Sequence, residues 1–202
     1  MIVVKYLLII AFALTLQTTE KKVILFFGDS LTAGYGLSTE EAFPALAEKQ
    51  LNKSGKRVKV VNAGLSGETS AGGLSRIDWI LRQPIDIFVL ELGANDGLRG
   101  LPLDQTRKNL QAIIDKVKTK YPKVKFVLAG MMVPPNMGKE YAADFKKIYP
   151  DLAKKNNATL IPFLLEDVGG IEKLNQTDGI HPNVEGHKIV ARNISKILEP
   201  LL

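Results

Sequence analysis

The run Val23-Ile24-Leu25-Phe26-Phe27-Gly28-Asp29-Ser30-Leu31 opens the ordered pattern of this chain. Residues 23–27 are apolar without interruption, rich in β-branched and aromatic side chains, and stopped by a glycine. Such a run reads as a strand buried on both faces. Four further runs of this kind follow, at 58–61, 86–92, 124–129 and 159–163. Between them lie segments of helical spacing at 41–52, 71–81, 104–119 and 139–156, and a closing helix at 184–198 follows Pro182-Asn183. Phe43, Leu46, Ala47 and Leu51 share one side of the first, and Leu110, Ile113, Ile114 and Val117 recur at helical spacing in the third. Pro150 is expected to interrupt the fourth. Five strands alternating with five helices predict one three-layer α/β/α domain, a five-stranded parallel sheet with helices on both faces. Ligands of such sheets bind outside the carboxyl ends of the strands. The loops that matter are therefore 28–36, 62–68, 93–97, 130–138 and the stretch before His181.

The chain has 202 residues, enough for one domain with a substantial core. Its 46% apolar and 24% charged residues are those of a globular protein, with no repeat, low-complexity tract or linker to divide it. The net charge of +6 comes from lysines spread over helix faces, which reads as a solvated basic surface. No nucleic-acid-binding motif accompanies it. The absence of cysteine excludes disulfides, thiolate catalysis and zinc–sulfur sites. At the N-terminus, Lys5 precedes an apolar run, 6–16, too short to span a bilayer comfortably and followed by polar residues 17–22. Residues 1–20 are read as an export signal without a clean cleavage site, and 21–202 as the functional domain. A buried N-terminal strand or helix is the alternative.

Ser30 falls just past the first strand, where its hydroxyl is exposed beside backbone N–H groups. By itself Gly28-Asp29-Ser30-Leu31 reads equally as a turn with a helix cap. The run Asp178-Gly179-Ile180-His181-Pro182 supplies what a serine nucleophile needs: a base that titrates near neutrality, and a carboxylate to orient it. The only other histidine, His187, lies within the closing helix and is read as surface or packing. Asn95, in Gly93-Ala94-Asn95-Asp96-Gly97, offers an amide to a developing oxyanion, as does the N–H of Gly67. Gly64 competes with Gly67 for that part, and Asn-Asp-Gly is also plain turn chemistry. Asp29 is read as structuring its turn. Leu98 and Leu101, with Met131, Pro134 and Met137 of the 130–138 loop, are candidates for an apolar substrate pocket. A core position for Met131 and Met132 is an equal reading.

Four runs, GDSLTAGYG (28–36), NAGLSGET (62–69), ELGANDG (91–97) and DGIHPN (178–183), resemble in this order the signature blocks of the SGNH, or GDSL-type, hydrolases. The resemblance covers nearly everything after residue 22, extending to Leu98-Arg99-Gly100 and Tyr149-Pro150. It is greatest to the bacterial periplasmic thioesterase, lysophospholipase and arylesterase group. It implies a flavodoxin-like fold, with Ser30, Asp178 and His181 catalytic and Ser30, Gly67 and Asn95 forming the oxyanion hole. It implies acyl transfer through an acyl-enzyme without metal or organic cofactor. The expected substrates are small acyl esters or thioesters of short to medium chain, with transient contact with a lipid surface and no nucleic-acid partner. The expected protein is a monomer, periplasmic or secreted. Two rivals remain: a carbohydrate O-acetyl esterase on the same scaffold, disfavoured because Trp79 falls in a helix and exposed aromatics are wanting, and a silent ligand-binding α/β domain. The chain lacks both G-x-x-x-x-G-K-[ST] and G-x-G-x-x-G loops, which disfavours a phosphate-binding fold.

Overall fold

The computed structural model describes residues 20–202. The export segment proposed for residues 1–20 lies almost wholly outside them. Five strands, β1 (Lys22–Gly28), β2 (Val58–Gly64), β3 (Ile87–Glu91), β4 (Lys125–Ala129) and β5 (Thr159–Ile161), form one sheet in the order β2-β1-β3-β4-β5, every pair parallel. The helices are α1 (Ser30–Ala33), α2 (Phe43–Lys53), α3 (Ser70–Ile80), α4 (Ala94–Leu98), α5 (Leu103–Lys120), α6 (Lys139–Asn156) and α7 (Val184–Leu198). α2 packs against α7, while α3 packs on α5 and α5 on α6, so helices cover the sheet in two layers. This is the expected three-layer architecture.

Burial explains which runs became which strands. Ile24 to Phe27 of β1 and all of β3 are sealed from solvent because each strand lies between two others and under helices on both faces. β2, at an edge, is only half-buried and places Lys59 outward, a charge that discourages further strand pairing. α5 buries Leu110, Ile113, Ile114 and Val117 at the expected spacing. α6 runs unbroken through Pro150, contrary to the expected interruption. Pro150 is exposed, so the carbonyl one turn earlier that it cannot bond faces water and loses little.

The order of strands reverses direction between β1 and β3, and in an open α/β sheet the crevice at such a reversal is where ligands bind. Ser30 is the second residue after β1 and Asn95 the fourth after β3, so both flank that crevice.

His187 joins two outer helices. Its Nδ1 accepts the N–H of Phe43, one of the donors left without an intrahelical partner at the start of α2, at 3.0 Å. Its ring stacks on Phe43 at 6.0 Å and 15°. It is a packing residue, as read from the sequence, buried rather than on the surface. Burial, with a smaller push from His181, lowers its pKa from 6.5 to about 4. The unfolded chain takes up a proton here below pH 6.5 while the folded one does not until about pH 4, so stability falls as pH drops through that window. The loss approaches about 3 kcal/mol at the acid end. His187→Asn, whose Oδ1 stands in for Nδ1, is expected to flatten the fall of Tm between pH 6.5 and 4. Buried carboxyls with raised pKa act in the opposite sense, so the slope is read as the difference between the two proteins. Equal slopes would rule out this residue as the cause.

Candidate active site

The turn after β1 is held from beneath by a carboxyl group. Glu91, the last residue of β3, is fully buried, and its Oε2 accepts from the N–H of Asp29 (3.1 Å), the N–H of Thr32 (3.2 Å) and the hydroxyl of Thr32 (2.6 Å). A Cβ on Gly28 would fall 2.2 Å from that oxygen, so only glycine fits where strand meets turn. Asp29 caps α1, its Oδ1 accepting the N–H of Leu31 at 3.0 Å, and Ser30 follows as the first helical residue. Burial, and after it the charge of Asp29, hold Glu91 well above the usual carboxylate range. Burial also raises Asp29 to about 6, against the N–H of Leu31 and the amide of Asn95 that favour its anion. Of the two carboxyls, Glu91, sealed from solvent beside the charge of Asp29, is the one more strongly disposed to hold a proton. Glu91 was not singled out in the sequence, although it is the one charge inside the otherwise apolar run 87–92.

At the other end of the chain, residues 178–181 fold into a tight turn. Asp178 Oδ1 accepts the N–H groups of Ile180 (2.9 Å) and His181 (3.0 Å), with Gly179 at a positive φ of 70°. Asp178 Oδ2 lies 2.7 Å from His181 Nδ1, and His181 Nε2 lies 2.9 Å from Ser30 Oγ. The backbone N–H of His181 is the main reason that the Asp178 carboxyl titrates down at about 2. An ionised carboxylate only accepts, so Nδ1 carries the ring proton and Nε2 is left to accept from the serine hydroxyl. The side chains open outward in order: Ser30 is nearly buried, His181 half-buried, and Asp178 at the rim.

Asn95 lies in the first turn of α4, and its Nδ2 donates to Asp29 Oδ2 and to the carbonyl of Glu68, each at 3.1 Å. It therefore bridges the serine turn to the loop after β2. That loop is anchored by Glu68, buried and paired through both oxygens with Arg76, whose guanidinium lies 4.3 Å above the ring of Phe27. Gly67, at φ 77°, has its carbonyl held by Arg99 Nη2 at 2.9 Å, while no group among the described residues accepts its N–H. Gly64 differs. Its N–H donates to Asn62 Oδ1 at 2.9 Å, and a Cβ there would sit 2.2 Å from the backbone nitrogen of Ala33, so it is wedged under α1. Asp96 is buried and binds the N–H (2.7 Å) and hydroxyl (2.5 Å) of Ser70, tying α4 to α3. Tyr149 of α6 supports the turn between β3 and α4 by donating to the carbonyl of Leu92 at 3.2 Å.

The residues read as a pocket part company. Met131 is in the core and Met132, one residue on, is exposed. Leu98 and Pro134 are exposed, and Leu101 and Met137 are half-buried. The mouth of the crevice carries a further aromatic that the sequence reading overlooked: Tyr35, exposed, with its ring 4.6 Å from that of His181. Trp79, on α3, is exposed as well, with the Arg82 guanidinium over it. Exposed aromatic side chains are therefore present, contrary to the expectation from the sequence. Among the described residues no group of three or more His, Asp or Glu is placed to hold a metal ion.

A doubly wound parallel sheet with a serine–histidine–aspartate array at its switch point defines the class. The profile of the GDSL-like lipase/acylhydrolase family matches residues 26–189, and the chain belongs to that family. It is 39% identical to Esterase TesA of Pseudomonas aeruginosa over 194 residues, 96% of each chain. It is 40% identical to the Thioesterase 1/protease 1/lysophospholipase L1 of Escherichia coli over 190 residues, 94% of this chain and 89% of the other. A crystal structure of TesA superposes with a TM-score of 0.85 at 39% identity, covering 90% of this chain and all of that one.

Proposed function

We propose that this chain is a serine carboxylic ester hydrolase that cleaves short- to medium-chain acyl esters and thioesters, with aryl esters and lysophospholipids within its range. The unbroken array from Ser30 Oγ through His181 to Asp178, with separations of 2.9 and 2.7 Å, carries this reading. Ser30 Oγ attacks the carbonyl carbon as its proton passes to His181 Nε2. The oxyanion lies against the N–H groups of Ser30 and Gly67 and the amide of Asn95. Asn95 in the resting state places its two hydrogens on Asp29 and on the Glu68 carbonyl, so it serves the oxyanion by sharing one of them. The intermediate collapses, the leaving alkoxide or thiolate takes the proton back from His181, and an acyl-enzyme remains. Water, deprotonated by His181, then releases the acid and restores Ser30. Gly67 is preferred to Gly64 as donor because the N–H of Gly64 is already given to Asn62.

Exposed apolar side chains stand on the segments that frame the serine: Leu65, Leu98, Met132 and Ile180. They suit an acyl chain or aryl group and brief contact with a lipid surface. The protein acts as a monomer on small molecules. The apolar run 6–16 supports export to the periplasm or beyond.

A ladder of p-nitrophenyl esters from acetate to palmitate, with an acyl-CoA, a lysophospholipid and an acetylated sugar beside it, tests the substrate class. The expected optimum lies at short to medium chains, with turnover of the thioester. Hydrolysis confined to acetylated sugars would replace this reading by the carbohydrate esterase, and hydrolysis of none of them by a silent binding domain.

A further inference from the structure

Ser30 and His181 are 151 residues apart in the chain, and a hydrogen bond of 2.9 Å is sensitive to any drift of one turn against the other. Some group must fix the distance between the two turns. The catalytic bond itself is too weak for this, since it breaks and re-forms in each cycle.

Gln176 spans that gap. Its Nε2 donates to the carbonyl of Tyr35 at 2.7 Å and to the carbonyl of Pro182 at 3.0 Å. Its backbone N–H donates to the carbonyl of His181 at 2.7 Å. Tyr35 in turn donates its N–H to the carbonyl of Ser30 at 3.0 Å. A continuous path of hydrogen bonds therefore runs from the Ser30 backbone, through Tyr35 and the Gln176 amide, to the His181 and Pro182 backbone. Each link ends on main chain, so the path constrains the turns rather than loose side chains. Gly36, at φ 78°, makes room for the amide: a Cβ there would lie 2.4 Å from Gln176 Oε1. The ring of Tyr35 completes the clamp by covering one face of the His181 imidazole, at 4.6 Å and 40°. An aromatic face so placed also favours the imidazolium formed when the serine proton arrives.

We propose that Gln176 and Tyr35 are positioning residues that hold His181 in register with Ser30. This rests on the hydrolase reading above and deepens it. Neither residue exchanges a proton or touches the oxyanion. Gln176 requires both amide hydrogens, because it faces two carbonyl oxygens. A glutamate there would set oxygen against oxygen.

The test measures kcat and KM on p-nitrophenyl acetate for the wild type, Gln176→Ala, Gln176→Glu, Tyr35→Ala and Tyr35→Phe, with Tm of each. Misplacement of a catalytic group by about 1 Å costs about 100-fold, so a smaller drift is expected to cost about 10- to 100-fold. Gln176→Ala and Tyr35→Ala are expected to lose kcat on that scale with KM within about twofold and Tm nearly unchanged, the pattern of an interaction that acts on the chemical step. Gln176→Glu is expected to lose at least as much, and Tyr35→Phe to recover most of what Tyr35→Ala lost. Wild-type kcat in Gln176→Ala would overturn the proposal, as would a loss confined to KM or one that tracks Tm. An inactive wild type would instead remove the hydrolase reading itself.

Discussion

Ser30→Ala is expected to lower kcat by about 10⁴-fold or more on every ester that the wild type cleaves, the scale found when a triad nucleophile is removed. The structure isolates this effect well. Ser30 contributes to the fold through its backbone: its carbonyl accepts the N–H groups of Gly34 and Tyr35, both at 3.0 Å, and alanine leaves these bonds in place. Among the described residues its hydroxyl has one partner, His181 Nε2. Alanine is also a good helix former for the short α1. The thermal midpoint should thus stay close to that of the wild type while turnover falls to whatever water and the oxyanion donors achieve alone. Side-by-side progress curves and melting curves for the two proteins check this. Turnover within tenfold of the wild type would remove Ser30 from the mechanism.

His181→Ala is expected to cost about as much, again near 10⁴-fold or more, and the double variant Ser30→Ala/His181→Ala no more than either single one. The reason is that a hydroxyl without a base to take its proton is almost as inert as no hydroxyl. The turn should survive the substitution, because Asp178 Oδ1 holds two backbone N–H groups and the His181 carbonyl accepts from Gln176, none of which involves the ring. Initial rates for the three variants form a double-variant cycle. Losses that multiply would mean that the two residues act in separate steps and not as one unit.

The architecture was legible because β1 and β3 are sealed on both faces and must be apolar throughout, and because α5 buries one stripe of side chains. The short α1 and α4 were not. Four or five residues carry no period, and what forms them is a cap by Asp29 and a left-handed Gly93. The Asp178–His181 pair was visible because the same aspartate that faces the ring also binds the backbone of its own turn, a local device with a fixed spacing. Ser30 could be joined to it by chemistry, since a serine nucleophile needs a base and the chain offers only two histidines, and the resemblance supported the pairing, but nothing in periodicity links residues so far apart. Glu91, Arg99 and Gln176 escaped notice for a related reason. Each works on backbone atoms of a distant loop, and a backbone partner leaves no trace in a sequence.

The separation between Ser30 and His181 also bears on biosynthesis. The ribosome delivers the serine turn early and the Asp178–His181 turn among the last parts of the domain. A nascent chain that has already laid down β1, β3 and most of the sheet still has no base beside its nucleophile. On the proposed mechanism hydrolysis would begin only when the C-terminal turn docks, so its onset would report completed folding.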